Sequence, residues 1–380
     1  MDYIENSRQL AGIFNINRDE IQIPGSNTKI RNMVFSSRLP IEYEIPGLSE
    51  DHMIFENSRF RYPVFLPEGK TDYKNVIVLL HGLNERSWNK HLTGARFLAE
   101  RTGRAVILFP LSYHINRGLP EWSDARKMSA LLQKRQLSYP GIKDASVINL
   151  ALSERLTEHP ERFYMSGLQS AFDLIALLKS IQEGRHCFFN VGTKTDIFCY
   201  SISCMLIQSL MISNPDHILS NSRIVFFAGG SLFSHLQGVS RFIMDSLAFD
   251  AIRTFYTNVL RFKTSLTKGV IPLMMENKFG QAFKTLILPD KFRNIREKSI
   301  QQFRNNLMVI ALRNDNVIPV EGIRMATGER FFRSENFKIV HFPYSYSHEN
   351  PFPVLYDKWN KEVTKAFLSV FNQVFSFYAS

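Results

Sequence analysis

The chain has 380 residues, of which 44% are hydrophobic and 21% are charged, a balance that permits a large buried core and excludes a disordered chain. Its formal net charge of +11 could attract nucleic acid, anionic lipid or an acidic substrate. The lysines and arginines are scattered, however, without a run of five or more and without a zinc-finger or RNA-binding signature, so we expect a basic surface and no nucleic-acid partner.

The cysteine count and the apolar runs bear on the compartment. Three cysteines, Cys187, Cys199 and Cys204, form an odd number in a long chain, which disfavours a disulfide scaffold. The first residues lack the basic and then apolar pattern of a secretory signal. The longest mostly apolar run, 197–212, contains three serines and one glutamine and is too short to cross a bilayer comfortably. We therefore expect a cytoplasmic protein without a membrane span, and the sequence leaves its oligomeric state open.

The N-terminal part of the chain differs in pattern from the rest. Residues 1–58 are polar, are interrupted by proline and glycine, and show little periodicity, so we interpret them as an N-terminal extension that wraps the core. The next segment, 60–66, predicts an edge strand, because Pro63 has no N–H group to donate to a second neighbouring strand.

Short apolar runs then alternate with helical patterns. Runs of this length, rich in Val, Ile, Leu and Phe, are typical of strands that are buried on both faces of a parallel sheet; they are 76–80, 105–109, 196–200, 223–227, 307–312 and 337–342. Helical periodicity is found at 92–101, at 172–183 and in a C-terminal segment from Trp359 to Phe375. The alternation predicts a doubly wound, mostly parallel α/β sheet whose core spans 59–230 and 301–380.

Two long segments interrupt the alternation. Residues 112–170 follow one predicted strand, and residues 231–300 separate two others with aromatic, helix-like stretches. We predict that 231–300 is a helical insertion. Insertions after strand ends fall on the ligand-binding edge of such a sheet, so this one could form a lid. An ordinary helical elaboration is the alternative.

Ser201 is the candidate nucleophile because it lies where the strand 196–200 runs directly into a helix. A sharp turn at this point would lift its hydroxyl clear of the sheet and direct the backbone N–H of Ile202 at a developing oxyanion. Such a turn needs small residues two positions before and after the nucleophile. Here they are Cys199 and Ser203, which are small but are not the usual glycines. Taken alone, a serine at this position is more often a helix cap.

Three further sites follow strand ends. His81 and Gly82 come directly after 76–80, where a glycine would let the backbone N–H of Leu83 turn toward the oxyanion, while His81 itself is expected to be structural. Asp315 follows 307–312 and could orient an imidazole, although an Asx turn would explain it as well. His348 follows 337–342 and precedes the C-terminal helix, as expected of a general base.

The order of oxyanion loop, Ser, Asp and His, each after a strand, resembles that of the α/β-hydrolase superfamily from about residue 60 to the end of the chain. Two segments resemble more narrowly a family of uncharacterised bacterial hydrolase-like proteins: His-Gly-Leu-Asn-Glu-Arg-Ser-Trp (81–88) and Phe-Pro-Leu-Ser-Tyr-His-Ile-Asn-Arg (109–117). In that family the sequence at the turn is closer to Tyr-Ser-Ile-Gly, so Ser203 is a departure. The resemblance implies the α/β-hydrolase fold.

These residues together predict a serine hydrolase that acts on an ester, thioester or amide of a small-molecule acyl substrate through a Ser201–His348–Asp315 triad. No phosphate loop, dinucleotide fingerprint or His/Cys ligand cluster is found, so we expect no cofactor and no metal. Arg117 is predicted as a substrate contact because it lies in a loop past a strand end. Two alternatives stay open, namely a binding protein that keeps the fold without catalysis and an acyltransferase that uses the same triad.

Overall fold

The computed structural model describes residues 1–38, 48–69, 72–262, 270–288, 290–354 and 357–380. Strands in these residues form one sheet: β1 (Glu20–Gln22), β2 (Thr28–Ser36), β3 (Arg59–Pro67), β4 (Asn75–Leu80), β5 (Ala105–Phe109), β6 (Lys194–Tyr200), β7 (Ile224–Phe227), β8 (Leu307–Leu312) and β9 (Phe337–Val340). Each apolar run that predicted a parallel strand lies on one of the strands β4 to β9.

The helices of the described residues pack on both faces of this sheet. They are α1 (Tyr3–Ile13), α2 (Phe55–Ser58), α3 (Asn89–Thr102), α4 (Ala125–Ser138), α5 (Leu150–Glu158), α6 (Glu161–Gln182), α7 (Ile202–Ser213), α8 (Ser246–Phe262), α9 (Val270–Glu276), α10 (Lys278–Ile287), α11 (Arg293–Gln302), α12 (Val320–Thr327), α13 (Glu329–Phe332) and α14 (Asn360–Ala379). None of the helices that the structure describes is both long enough and apolar enough to cross a membrane.

The order of strands in the sheet is β1-β2-β3-β5-β4-β6-β7-β8-β9. Strands β4 to β9 pair with one another in parallel. Strands β1 and β2 pair antiparallel, as do β2 and β3, and β3 pairs antiparallel with β5. Alternate residues of each strand face opposite layers: on β4, Val76 and Val78 pack toward α6 and α7, while Ile77 and Leu79 pack toward α1, α3 and α14. The doubly wound, mostly parallel sheet of the α/β-hydrolase fold is therefore confirmed.

The prediction that 60–66 is an edge strand is wrong, because β3 lies between β2 and β5. Pro63 is opposite Asn32 of β2, and the N–H group of Asn32 donates away from β3, to the carbonyl oxygen of Asp19 at 2.9 Å. The two residues thus form a pair that exchanges no hydrogen bonds. On its other side β3 pairs with β5 at Val64 and Phe65, so the missing N–H group of Pro63 costs no ladder bond.

The segment 231–300 contains α8, α9, α10 and α11 among its described residues. Tyr256 of α8, Met274 of α9 and Phe283 of α10 are buried in the core layer that also contains α6 and α7. The boundaries of this segment as an insertion and its action as a lid stay predictions, as does the division of the chain at residues 58 and 230.

Arg117, which the sequence predicted as a substrate contact, lies in the interior of the protein. Its side chain is fully buried and forms an ion pair of 2.7 Å with Asp173 of α6. The guanidinium also donates to the side-chain and backbone oxygens of Asn57, each at 3.1 Å, and to the Pro110 carbonyl oxygen at 3.0 Å. The prediction is corrected because these bonds hold the guanidinium inside the protein, where it fixes the loop after β5. A loop position past a strand end gave no sign of this burial.

The ion pair of Arg117 yields a test of stability. We expect Asp173→Asn to lower the free energy of unfolding by about 3–5 kcal/mol, because it leaves a buried cation without its partner. The measurement is chemical denaturation followed by circular dichroism. The control is Asp250→Asn, in an exposed pair with Arg253, which should change stability by no more than about 0.5 kcal/mol. Equal effects of the two substitutions would contradict the assigned role of Arg117.

Candidate active site

Ser201 joins β6 to α7 in a conformation that few non-glycine residues adopt, with φ of 62° and ψ of −122°. Such a backbone costs of order 1–3 kcal/mol and persists only where its surroundings hold it. Here the Ser201 N–H donates to the Phe227 carbonyl oxygen at 3.1 Å, and the Ser201 carbonyl oxygen accepts from the Cys204 N–H at 3.0 Å. The serine is thus fixed at the carboxyl edge of the sheet by β7 on one side and by the first turn of α7 on the other.

The structure brings together the three side chains that the sequence assigned as nucleophile, base and acid. Ser201 Oγ lies 2.7 Å from His348 Nε2, and His348 Nδ1 lies 2.7 Å from Asp315 Oδ2. All three residues are buried, each with about 5% or less of its surface exposed. With the Nδ1 proton directed at the carboxylate, Nε2 is left to accept a hydrogen bond from the serine hydroxyl.

Asp315 is held so that one carboxylate oxygen faces the imidazole. Its other oxygen, Oδ1, accepts hydrogen bonds from the backbone N–H groups of Val317 at 2.9 Å and Ile318 at 2.7 Å. The Asx turn that the sequence offered as an alternative to an acid role is therefore present together with the contact to His348. Both interpretations of Asp315 apply to the same side chain, because its two oxygens have different partners.

Tyr200 positions the loop that carries His348, and the sequence did not identify it as a site residue. Its hydroxyl donates to the backbone carbonyl oxygen of His348, and its ring stacks on the imidazole with centroids 5.7 Å apart. Burial, together with the nearby carboxylates of Glu85 and Asp315, raises the pKa of Tyr200 well above its ordinary value, so the hydroxyl keeps its proton and donates. Its position directly before Ser201 was the signal in the sequence that could have identified it as part of the site.

Ser203 replaces the glycine that usually follows the nucleophile by two positions, and its side chain is fully buried. Its hydroxyl accepts from the Tyr200 N–H at 2.9 Å and lies 2.8 Å from the Tyr200 carbonyl oxygen, to which it can donate. The residue thus bridges the end of β6 and the start of α7. The close approach that a tight turn requires is also provided by Gly229, where a Cβ atom would overlap Cys204 and the Ser201 carbonyl oxygen.

The loop after β4 lies against this turn. A Cβ atom at Gly82 would be 3.2 Å from the Ser201 Cβ and 3.1 Å from the Tyr200 ring. The buried His81 lies behind it, donating from Nδ1 to the Gly82 carbonyl oxygen at 2.7 Å and accepting at Nε2 from the Leu111 N–H at 2.9 Å. Burial, reinforced by the neighbouring His114, lowers the pKa of His81 to about 3. The neutral ring ties the loops after β4 and β5 together, as a structural residue would.

Glu85 anchors the same loop from within, and the sequence did not identify it. Its Oε1 atom accepts from the Gly82 N–H at 3.1 Å and lies 2.7 Å from Lys90 Nζ, while Oε2 lies 2.9 Å from His91 Nε2. Burial by itself raises the pKa of the Glu85 carboxyl, but the attraction of His91 and Lys90 outweighs it and the pKa is lowered. An ionised carboxylate therefore holds the loop in place.

Two cavities meet at Leu83. We name the first the outer cavity; it has a volume of about 580 Å³ and is lined by Gly82, Leu83, Ser201 and His348 together with Tyr3 and Ser7 of α1. We name the second the inner cavity; it has a volume of about 80 Å³ and is lined by Leu83 and Ile202 and by side chains of α5, α6, α7 and α10. Arg117 lines neither cavity. The two predicted oxyanion donors, Leu83 and Ile202, thus flank the inner cavity.

Comparison with known proteins gives distant structural similarities. No curated protein has a significant sequence match. An esterase of Pyrobaculum calidifontis is similar over 98% of this chain and 91% of its own, with 12% identity and a TM-score of 0.40. A thermophilic carboxylesterase cloned from a metagenomic library is similar over 97% of this chain and 94% of its own, with 12% identity and a TM-score of 0.41. The acylaminoacyl peptidase of Pyrococcus horikoshii is similar over 94% of this chain and 44% of its own, with 10% identity and a TM-score of 0.45. Similarities this distant give no ground for transferring an activity.

The sequence does match a family model over most of its length. The matched range, 42–379, begins after α1, β1 and β2 and includes β3 to β9 and the residues of the site. This chain therefore belongs to a family of unknown function, DUF6051.

Proposed function

We propose that this protein is a serine hydrolase that cleaves an ester, thioester or amide by transferring its acyl group to water. The observation that carries the proposal is the pair of 2.7 Å contacts that link Ser201 Oγ to His348 and His348 to Asp315. A buried serine with positive φ at a strand–helix turn supports the nucleophilic role, because strained backbone of this kind is typical of active sites.

In the first half of the proposed reaction, the Ser201 hydroxyl oxygen forms a bond to the substrate carbonyl carbon while its proton passes to His348 Nε2. Asp315 fixes the tautomer of the imidazole and stabilises the imidazolium ion. The imidazolium then gives its proton to the leaving group as the bond between that group and the carbonyl carbon breaks. An acyl ester of Ser201 results.

In the second half, a water molecule attacks the acyl ester and gives a proton to His348. The imidazolium returns a proton to Ser201 Oγ, and the carboxylic acid leaves. The backbone N–H groups of Leu83 and Ile202 are proposed to bind the oxyanion in both halves, and each such donor stabilises the transition state by about 2.7–4 kcal/mol. The contacts of Gly82 with Ser201 and Glu85 support this role, since they hold the loop against the turn.

The bonds of Ser203 favour catalysis over a binding protein that has lost its activity. A serine at this position would disable the turn if its hydroxyl were unpaired or displaced the backbone. Instead the hydroxyl has a donor and an acceptor on Tyr200, and these hydrogen bonds offset the cost of burying it. The departure from glycine is thus compatible with an active nucleophile.

Covalent labelling tests the nucleophile. We expect a fluorophosphonate probe to label the native protein, and we expect Ser201→Ala to abolish labelling and ester hydrolysis, because the attacking oxygen is removed. Ser213→Ala, at the other end of α7, is the matched control and should be labelled normally. Labelling of Ser201→Ala, or no labelling of the folded native protein, would overturn the proposal. The second outcome would favour the binding protein.

The role of Asp315 is tested by Asp315→Asn. An amide directs an N–H group rather than an acceptor at His348 Nδ1 and selects the wrong tautomer, so we expect kcat for ester hydrolysis to fall by about 10⁴-fold. The measurement is steady-state hydrolysis, with the circular dichroism spectrum as a check of folding. A loss of less than about tenfold in a folded variant would be incompatible with the proposed role.

Substitution of Ser203 tests whether its hydroxyl holds the turn. We expect Ser203→Ala to lower the free energy of unfolding by about 1–3 kcal/mol, because the Tyr200 N–H loses its acceptor in a buried site, and to slow labelling of Ser201. Ser209→Ala is the control. That serine is also buried on α7, but its hydroxyl bonds only the Met205 carbonyl oxygen of its own helix. If both variants had the same stability and labelling rate, the bridge would be irrelevant.

A further inference from the structure

The inner cavity lies along one face of α7, beginning beside the nucleophile. Ile202, Met205, Leu206 and Ser209 line it, and their spacing of three and four residues places them on a single side of the helix. At 1.5 Å per residue, the lined stretch is roughly 10 Å long. A group attached to the acyl carbon at Ser201 could therefore extend from the turn along α7.

The lining of this cavity is mostly apolar. Phe163 and Tyr164 of α6 and Phe279 and Phe283 of α10 contribute to it. Two arginines also line it, but two carboxylates hold them. Arg155 donates to Asp51 through bonds of 3.1 and 2.9 Å. Arg162 donates to Asp51 at 3.1 Å and to Glu158 at 3.0 Å. Since their charge is already paired, the cavity suits an uncharged group.

Gly167 leaves part of this space open. It lies in the interior of α6 and lines the cavity, and a Cβ atom there would have no atom within 4 Å apart from its own chain neighbours and the backbone of its helix. A glycine inside a helix destabilises it by about 1 kcal/mol relative to alanine, so its presence calls for a reason other than helix formation. The volume of about 80 Å³ is several times the roughly 10–15 Å³ that a single water molecule needs, so the cavity has room for several non-hydrogen atoms of a ligand.

His114 adds one polar atom, Nε2, that has no hydrogen-bond partner among the described residues. Its Nδ1 donates to the Ser112 carbonyl oxygen at 2.7 Å, and burial lowers the pKa of the ring to about 4, so Nε2 is an acceptor at neutral pH. Within the described residues, no donor reaches this buried atom. By contrast, the hydroxyls of Ser166, Ser170 and Ser209 all donate within the protein. Because His114 lines the cavity, a ligand bound there could supply the donor that Nε2 lacks.

We propose that the inner cavity binds the acyl part of the substrate, and that this part is an uncharged, mostly apolar chain that extends along the lined stretch of α7 and carries a hydroxyl that donates to His114 Nε2. The inference rests on the proposed function, of which it specifies the substrate class. Leu83 and Ile202, which would hold the oxyanion, line the same cavity, so the chain of the acyl group would enter it directly from the reacting carbonyl.

The size limit is tested with nitrophenyl acetate, butanoate, hexanoate, octanoate and dodecanoate. We expect kcat/KM to be highest for hexanoate or octanoate. Gly167→Phe should fill the cavity and lower kcat/KM for these two esters by about tenfold or more relative to acetate, a change of 1.4 kcal/mol or more in transition-state binding. Gly167→Leu provides a smaller side chain in case the phenylalanine variant does not fold. The control with an unchanged preference is Ala176→Phe, which adds the same side chain at an exposed position of α6 outside both cavities.

The hydroxyl is tested with nitrophenyl hexanoates that carry it at successive carbons. We expect one isomer to exceed plain hexanoate in kcat/KM by about tenfold, and this advantage should vanish in His114→Asn, whose amide can still donate to Ser112 but cannot replace Nε2. An advantage that persists in His114→Asn, or the lack of a favoured isomer, would overturn the proposal that a hydroxyl of the acyl group donates to His114. A chain-length preference unaltered by Gly167→Phe and Gly167→Leu would overturn the cavity assignment. In both cases fluorophosphonate labelling would still report on Ser201, so failure of the proposed function would be distinguished by loss of labelling itself.

Discussion

The backbone of Ser201 is the constraint on which the rest of the site depends. A positive φ at a non-glycine residue is unfavourable by itself, and four elements act together to hold it. The carbonyl oxygen of Phe227 on β7 accepts its N–H, Ser203 bridges the turn, and glycines at 82 and 229 leave room for the neighbouring loops. Because strands β4 to β9 run parallel, all of their carboxyl ends lie at the edge of the sheet where this turn projects. A sheet of that kind brings loops from distant parts of the chain to one serine.

The electrostatics of the site follow from burial. Tyr200 keeps its proton and donates to the histidine loop, whereas Glu85 stays ionised because Lys90 and His91 lie against it. Both therefore act as rigid supports with a fixed charge state near neutral pH. His81 is kept neutral for the same reason, so its two nitrogens have fixed donor and acceptor roles between the loops after β4 and β5. Under the proposed function, a site assembled in this way would need little reorganisation when charge develops on the substrate.

Much of this arrangement could be predicted from the sequence, since its signals are local. A buried parallel strand appears as a short apolar run, and the polar residue after it is brought to the carboxyl edge whatever the rest of the fold does. That logic predicts from the sequence alone that Ser201, Asp315 and His348 lie near one another. The antiparallel strands β1 and β2 were missed because only alternate residues of β2, such as Thr28, Ile30 and Asn32, face inward, and two of these three are polar.

Other features depend on contacts that no local pattern records. Arg117 has the same appearance in sequence as an exposed arginine, and its burial is set by Asn57 and Asp173, each more than fifty residues away. Pro63 predicted an edge strand because a missing N–H is usually tolerated only there. Its true position is decided by register, which puts it opposite Asn32 in a pair that exchanges no hydrogen bonds. Glu85 was missed for the same reason, since its partners become visible only once the loop is folded.

The two cavities differ in where the chain supplies their walls. Helices α6, α7 and α10, which line the inner cavity, lie within the range 42–379 that the family model matches. The outer cavity takes Tyr3, Ser7 and Arg8 from α1, which precedes that range. Helix α1 is bonded to the rest of the protein: the Tyr3 hydroxyl donates to the Phe352 carbonyl oxygen, and the Ser7 hydroxyl forms a hydrogen bond with that of Thr93 of α3. If the acyl group occupies the inner cavity, the leaving group must lie in the outer one. Selection between leaving groups would then depend on an N-terminal helix outside the matched range, and selection between acyl groups on helices within it.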